Sequence, residues 1–560
     1  MWRDWKAFIP KSVTVLRQGY GLTDFRGDVI AGLTVAIVAM PLAMALAIAS
    51  GATPAQGLVT AVVAGFCISL FGGSRFQIGG PTGAFVVVVY GVIAKHGYDG
   101  LLIATTIAGA LLIVAGLLRL GTFVKYIPDP VTTGFTTGIA TIILASQLKD
   151  IFGLTADHVP ADFIPKLQAL WAARATLSLP TLGLAAGCFA AIMLMRRYAS
   201  KVPGFLVVTV VAAIAAHFLT MPVETIGSKF GGVASSLPMP NFGFWSWTKV
   251  RDVLPSAFTI ALLAGIESLL SAVVADQMTG RRHRSNVELV AQGIANIASA
   301  AVGGLPATGA IARTATSIRS GARSPLAGML HSAFLLLFML LLAPLAKFVP
   351  LAALAAILVV VALNMAELER FRLLLGTSNG DRAVLLLTFG LTVIIDLTLA
   401  IEVGMVLSAF VFMHRMSQLS TVKGQGLSFS GNDEDDGARA SGFPYRPNDG
   451  LPSDTSVLTF RGPLFFGSTS VLKDVLDEIG AHSRHYILRF EDVPLIDPTG
   501  SAALSSFLQR AAREQADVDI CGASDSVRAS LARSVEGHIL SKVAFSPSFA
   551  IARAAIEAPA

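Results

Sequence analysis

The sequence predicts a polytopic α-helical membrane protein that ends in a small α/β domain, and three observations predict it. Of the 560 residues, 54% are hydrophobic and only 14% charged, against about 25% charged in soluble domains. Apolar runs near the roughly 20-residue length of a membrane span follow one another from Val29 to Met413. Beyond about Gln418 the composition turns polar, and strand and helix signals alternate.

The charge deficit is the informative half of the composition. A lipid-facing surface excludes charge, whereas a soluble core of this size has no need to. The 52 glycines and 26 prolines often sit inside apolar runs, which membrane helices tolerate better than soluble ones. The net charge of +6 lies in short loops between apolar segments rather than on one patch, so no nucleic-acid partner is expected. Cys67, Cys188 and Cys521 are far apart and lack metal-ligand spacing; no metal or cofactor is expected. Met1 to Arg26 is polar and basic without a small-residue cleavage site, so no removable signal peptide is expected.

Full spans are predicted near Val29–Ser50, Ala55–Phe71, Leu101–Leu120, Thr181–Met195, Phe205–Leu219, Val253–Val274, Leu326–Leu342, Leu351–Leu363, Ala383–Ile395 and Ala400–Met413. Shorter runs lie at Ala84–Ala94, Val131–Leu148, Val287–Val302 and Ala310–Ile318. Together they make about fourteen segments, seven per half. With residues 1–28 inside, the inner loops collect Arg75, Arg119, Lys125, Arg196, Arg197, Lys201, Arg281, Arg282, Arg284, Arg319, Arg323, Arg370, Arg372 and Arg382. The outer loops Ser50–Pro54 and Gly303–Gly309 carry no positive charge. That asymmetry predicts both termini in the cytoplasm.

The two halves repeat a motif. Gly79-Gly80-Pro81-Thr82-Gly83-Ala84-Phe85 resembles Gly303-Gly304-Leu305-Pro306-Ala307-Thr308-Gly309-Ala310-Ile311, with Thr82 and Thr308 226 positions apart. Asp28 in Arg26-Gly27-Asp28-Val29 and Asp252 in Val250-Arg251-Asp252-Val253 lie 224 apart. Each match opens a segment, so an odd number of segments per half inverts the second copy. Short segments interrupted by Gly and Pro at corresponding places are the best sequence pointer to a transporter's central site. Glycine and proline suit extended chain, and each motif then starts a short helix. The first amides of a helix lack intrahelical acceptors and carry the positive end of its dipole. Two such ends meeting at mid-membrane would hold an anion without a lysine. The alternative is a pair of Gly-rich turns between ordinary spans.

Ionisable residues inside spans come next, because a charge at the bilayer centre costs about 2.5–3.5 kcal/mol on insertion scales. Glu267 lies well inside Ala261–Ser271, and Ser271 follows at i+4 on the same face. A carboxylate held out of water can exchange a proton near neutral pH, so Glu267 is the candidate coupling residue; the other reading is a structural carboxylate bonded to a neighbouring helix. Arg313, just after the second motif, either faces an anion or pairs with Glu267. Asp396, Glu402 and Asp276 read as helix-end or interdomain contacts.

In the tail, 419–454 reads as a flexible linker with the acidic run Asp433-Glu434-Asp435-Asp436, and 455–560 as an α/β domain. Ser456–Arg461, His485–Phe490 and Val518–Cys521 read as strands, and Ser468–Ile479 and Gly500–Arg513 as helices. Asp497-Pro498-Thr499-Gly500 reads as a helix N-cap.

With these residues in hand, 29–418 resembles the sulfate permease family, whose animal relatives include prestin and pendrin. The resemblance rests on Pro41-Leu42-Ala43-Met44-Ala45, Gly72-Gly73-Ser74-Arg75 with the first motif, Glu267-Ser268-Leu269-Leu270, and Gly303 through Arg313. The tail resembles the STAS domain through Asp497-Pro498-Thr499-Gly500. The resemblance implies a seven-plus-seven inverted repeat split into core and gate domains. It implies an anion between the starts of the third and tenth segments, near Thr82, Gly83, Ala84 and Phe85 and near Gly309, Ala310, Ile311 and Arg313, with Pro41 and Leu42 beside it. It further implies a homodimer, alternating access of core against gate, an ion-coupling role for Glu267 and Ser271, and a regulatory phosphorylation target at Thr499, where Pro498 alters the turn.

Two departures shape the expected function. Sodium-coupled bicarbonate relatives carry a threonine where Ile311 stands and an aspartate where Glu267 stands, so this chain is expected to couple to protons rather than sodium. Eukaryotic sulfate members tend to carry a glutamine where Leu42 stands, while Ala310-Ile311-Ala312-Arg313 resembles bacterial dicarboxylate transporters. The expectation is a bacterial inner-membrane symporter of sulfate, a related oxyanion or a dicarboxylate. The rivals are a sodium-coupled bicarbonate transporter, an uncoupled anion channel or exchanger, and a receptor whose STAS domain engages a cytoplasmic protein. No nucleophile–base pair, metal cluster or phosphate loop points to an enzyme.

Overall fold

Apolar sequence between residues 22 and 419 folds almost wholly into helices. The computed structural model describes residues 8–122, 128–156, 159–199, 202–233, 235–395, 397–419, 421–424, 427–429, 451–452, 454–468 and 483–557. The chain divides into two units, Met1–Met405 and Val406–Ala560.

The first half runs α1 (Lys11–Arg17), α2 (Leu22–Ala49), α3 (Pro54–Phe71), β1 (Gly79–Gly80), α4 (Phe85–Leu117), α5 (Asp129–Phe152), α6 (Phe163–Ala172), α7 (Leu179–Tyr198), α8 (Gly204–Phe218) and α9 (Ile226–Phe230). The second runs α10 (Trp247–Thr279), α11 (Ser285–Ala301), β2 (Thr308–Gly309), α12 (Ile311–Arg319), α13 (Leu326–Ala346), α14 (Leu351–Met365), α15 (Leu368–Leu375), α16 (Asn379–Ile394) and α17 (Leu397–Leu419). Helix α4 leaves the helical course at Gly97 (φ 73°, ψ 178°). Divided there, and with the short surface helices α1, α6, α9 and α15 set aside, the described residues hold fourteen segments at the predicted places. Nine of the described helices are long and apolar enough to cross a membrane.

Local chemistry sets many of the ends. At α3, Thr53 and Gln56 form a reciprocal capping box ahead of Pro54, which satisfies two otherwise orphaned amides. Helix α10 stops at the left-handed Gly280, whose amide reaches Asp276 O at 2.8 Å. Helix α2 begins seven residues before the predicted Val29 because its polar first turns are satisfied. The fully buried Asp28 accepts from Tyr20 Oη (2.6 Å) and from the amides of Arg323 and Ser324 (2.6 and 3.1 Å).

Small residues let the central helices meet backbone to backbone. A Cβ on Gly109 of α4 would lie 2.6 Å from Gly293 O, and one on Gly293 of α11 would lie 2.4 Å from Gly109 O. Membrane helices associate through such close approach, since lipid supplies no hydrophobic drive between them. Large apolar side chains such as Val211, Phe218 and Leu341 remain exposed on the outside of this unit, as a lipid-facing surface requires.

The tail unit holds β3 (Thr421–Gly424), β4 (Leu427–Phe429), β5 (Thr455–Arg461), β6 (His485–Asp492), β7 (Asp517–Cys521) and β8 (Val543–Ser546), in the order β4-β3-β5-β6-β7-β8. Strands β5 to β8 are parallel, while β3 pairs antiparallel with β4 and β5. Helix Pro498–Arg513 lays Leu504, Phe507 and Leu508 onto Phe460, Tyr486 and Phe490. The stretch read as a linker therefore opens with two strands. Its acidic run Asp433–Asp436 and most of the predicted helix Ser468–Ile479 lie outside the described residues. Strand β8 and helices Asp525–Ser534 and Phe549–Glu557 were not read from the sequence.

Candidate functional site

The two repeat motifs cross each other. Gly79 and Gly80 pair antiparallel with Gly309 and Thr308, and the Ala310 amide continues the ladder to Ile78 O at 2.9 Å. Two positions of this crossing admit only glycine. A Cβ on Gly309 would stand 1.5 Å from Gln77 Nε2, and one on Gly80, at φ 147°, would stand 2.2 Å from Arg313 Nη1. Thr82 and Gly83 then accept from the Phe85 and Val86 amides (3.3 and 3.1 Å), which starts α4. The Ala310 carbonyl takes the Thr314 amide (2.9 Å), which starts α12. The amides of Ile311, Ala312 and Arg313 therefore precede the first intrahelical bond. Ile311 is 38% exposed, whereas Thr82, Gly83, Ala84, Phe85, Gly309 and Ala310 are buried.

Helix α10 brings the carboxylate to this crossing. Thr82 Oγ1 donates to Glu267 Oε2 at 2.8 Å, and Glu267 stays partly exposed while its neighbours Ile266 and Ser268 are buried. Next to it, Thr308 Oγ1 donates to Ala264 O (2.8 Å). Ser271 is fully buried and donates to Thr314 Oγ1 (3.2 Å), which also receives the Ile78 amide (3.2 Å). Its hydroxyl thus ties α10 to α12.

Arg313 is 3% exposed and reaches back into the first motif, donating from Nη2 to Pro81 O (2.6 Å) and from Nη1 to Gly79 O (3.4 Å), with Nε unpartnered. Its charge lies beneath the turn that begins α4, where it reinforces the positive helix end above it. Pro41 and Leu42 are buried in α2, and Pro41 borders an apolar cavity of about 360 Å³ together with Met44, Ile214 and Phe348. Gly83 abuts α14, where a Cβ would meet Met365 Sδ at 2.6 Å.

A second buried carboxylate was not singled out from the sequence. Glu288 of α11 accepts from the Gly73 and Ser74 amides (2.8 and 3.1 Å), from Gln292 Nε2 (2.9 Å) and from Ser268 Oγ (3.2 Å). Ser268 Oγ in turn receives Gln77 Nε2 (2.7 Å). This network holds the residue beside Glu267 and the residue two before Gly79. Its sequence signal was an acid followed at i+4 by a glutamine in an apolar helix.

The remaining candidates stand apart. Asp276 is paired with His283 (2.7 Å) and Glu402 is exposed, while Asp396 lies outside the described residues. In the tail, Asp497 caps its helix by accepting from Gly500 N (2.7 Å) and also takes the Phe466 amide (3.0 Å); Thr499 is exposed in the first turn. Among the described residues no group of His, Cys, Asp and Glu is arranged to hold a metal.

Comparison with known proteins fixes the family. Residues 25–388 match the profile of the sulfate permease family, and 448–547 that of the STAS domain. The chain belongs to the sulfate permease family. Among its relatives is YvdB of Bacillus subtilis, to which its name provisionally ascribes sulfate transport; it is 40% identical over 507 residues, 90% of this chain and 93% of that protein. The bicarbonate transporter BicA of Picosynechococcus is 32% identical over 517 residues, 90% of each. The solved transmembrane domain of a cyanobacterial BicA aligns with TM-score 0.60 at 29% identity, over 70% of this chain and 98% of that one. Murine Slc26a9, an anion transporter solved in the inward-facing state, aligns with TM-score 0.84 over 98% of this chain and 94% of its own. At 17% identity, that likeness speaks to fold alone. This sulfate permease family member is thus a multi-pass membrane protein of an anion-transport family, with a STAS domain at its C-terminal end.

Proposed function

We propose that this chain is a proton-coupled symporter of sulfate, a related oxyanion or a dicarboxylate, working by alternating access and without enzymatic chemistry. The observation that carries the reading is the meeting of two helix starts beside one partly exposed carboxylate. The amides at Ile311 and Ala312, the turn Thr82–Phe85 and the charge of Arg313 hold the anion between them. Pro41 and Leu42 complete the wall. Glu267 carries the proton: ionised, it repels an arriving anion, and protonated, it does not. One local charge change thereby links the two fluxes.

Ile311 offers no side-chain oxygen and the Ser271 hydroxyl is engaged with Thr314, which favours a proton over sodium. The 32% identity to BicA favours the second reading, sodium-coupled bicarbonate transport. The duplicated motifs and their antiparallel crossing support an inverted seven-plus-seven repeat, with a core moving against a gate. The convergence of Arg75, Arg281 and Arg323 on one side supports the predicted orientation, with both termini cytoplasmic in a bacterial inner membrane. A homodimer, and a cytoplasmic protein partner for the STAS domain acting through Thr499, complete the proposal.

Cargo is tested by uptake of labelled sulfate into proteoliposomes with unlabelled fumarate and bicarbonate as competitors. Sulfate uptake resisting both supports a sulfate carrier. Vesicles that take up labelled fumarate but no sulfate move the assignment to dicarboxylates, and a requirement for sodium with bicarbonate as cargo overturns the proposal.

A further inference from the structure

Helix α11 carries a buried polar stripe. Glu288, Gln292, Asn296 and Ser299 recur at helical spacing on one side of it, and all four are fully buried. Polar side chains so placed cost free energy unless they are bonded, and the bonds of Glu288, Asn296 and Ser299 run to the loops that form the motif crossing.

At the start of the stripe, α11 takes both backbone groups of Gly73, in the loop that leads to the first motif. The Gly73 amide donates to Glu288 Oε2 (2.8 Å), and its carbonyl accepts from the Arg284 amide (3.0 Å). Further along, Asn296 does the same for the second motif. The Ala307 amide donates to Asn296 Oδ1, and Asn296 Nδ2 donates to the Ala307 carbonyl, each at 2.9 Å. Ser299 Oγ adds a bond to the Leu305 carbonyl (2.6 Å). Glu288 and Asn296 lie eight residues apart, about 12 Å along the helix axis. A hydrogen-bonded chain joins the first grip to the crossing itself. Gln77 Nε2 donates to Ser268 Oγ (2.7 Å), which donates to Glu288 Oε1 (3.2 Å), and Gln77 is the side chain that leaves no room for a Cβ on Gly309.

Taking the crossing as the anion site, we propose that Glu288 and Asn296 are its positioning residues. They act through the backbone of the two motifs rather than on the anion, and they fix both helix starts to one helix, so that the crossing keeps its register during transport. Glycine-rich chain has too much conformational freedom to hold such a geometry by itself; α11 imposes it. Glu288 has to be an acceptor at both oxygens, because the Gly73 and Ser74 amides face one and Ser268 and Gln292 face the other. An amide in its place would turn an N–H toward one of these pairs of donors.

The test compares the full-length protein with Glu288→Gln and Asn296→Ala by two readouts. In proteoliposomes under an inward proton gradient, the concentration of labelled sulfate or fumarate that half-saturates uptake is expected to rise about tenfold in each variant, as the loss of one or two buried hydrogen bonds implies, with the saturated rate little changed. Glutamine keeps the shape of glutamate, so a role in packing alone predicts no rise, and unchanged half-saturation in both variants overturns the proposal. In detergent without anion, backbone hydrogen exchange is expected to quicken at residues 72–80 and 303–311 while α13 and α14 stay as protected as before. Equal loosening of all the helices is a general structural effect and also overturns it. If the unaltered protein takes up neither anion, the transport reading fails by itself, and the exchange comparison alone decides whether these residues hold the crossing. If the variants do not fold, Ser268→Ala, which removes the hydroxyl between Glu288 and Gln77 and leaves both backbone grips in place, is judged by half-saturation and by exchange at 77–80; unchanged values there overturn the proposal.

Discussion

The Thr82 hydroxyl donates to the Glu267 carboxylate across 2.8 Å, joining two residues 185 positions apart. One belongs to the turn that starts α4 and the other to the middle of α10. The bond places the candidate proton carrier at the mouth of the candidate anion cradle, so charge on one is sensed at the other.

Replacing Glu267 with Gln keeps an oxygen for Thr82 to donate to but removes the titratable charge. Pyranine-monitored proteoliposomes of the Glu267→Gln variant are expected to lose pH-driven accumulation while retaining anion exchange. Accumulation that survives intact contradicts a coupling role for this residue.

Thr82→Val removes the hydrogen bond and keeps the shape. Hydrogen bonds to charged groups contribute about 1.5–3 kcal/mol, so proton-driven uptake is expected to fall about tenfold or more, at a pH response shifted from that of the unaltered protein. An unchanged initial rate would show that the bond is incidental.

At the crossing, Gly309→Ala pushes a methyl group into Gln77, which is held by Ser268. Gln77 has to leave, and losing its buried hydrogen bonds costs about 1–3 kcal/mol. A lowered unfolding midpoint together with lost uptake is expected. Gly91→Ala, on α4 with nothing within 4 Å of the added methyl, serves as the control that keeps both.

Arg313→Gln shortens the reach to the Pro81 carbonyl and removes the buried charge. Hydrogen bonds from a charged donor contribute about 1.5–3 kcal/mol each. Anion affinity and the unfolding midpoint are expected to fall together, and Arg313→Lys to restore them only in part, because a single ammonium does not span Gly79 and Pro81. Complete rescue by lysine would show that charge alone matters there.

In the tail, Asp497→Ala removes an N-cap worth about 1 kcal/mol and the Phe466 contact. A modest fall in the tail's unfolding midpoint, read by hydrogen exchange at helix Pro498–Arg513, is the expected outcome. An unchanged exchange rate would contradict the cap.

Much of this was legible in the residues. Apolar runs and loop arginines located the spans, because a bilayer leaves few alternatives to a helix. The paired glycine motifs marked the crossing, and Glu267 stood out because charge is scarce inside a span. Partners were harder to read. Nothing local tells that Ser271 turns to Thr314, that Arg313 reaches back to Pro81, or that Glu288 gathers the amides of Gly73 and Ser74; each depends on a partner 43 or more positions away in sequence. Strands β3 and β4 escaped detection because they are short and lie in a polar stretch whose composition favours disorder.

The account rests on coupling between proton and anion, and one measurement reaches it directly: labelled sulfate or fumarate accumulated by proteoliposomes under an inward proton gradient, without sodium. The account predicts uphill uptake that a protonophore collapses and that Glu267→Gln abolishes. Uptake that only equilibrates, or that is driven by sodium and indifferent to the proton gradient, would contradict it.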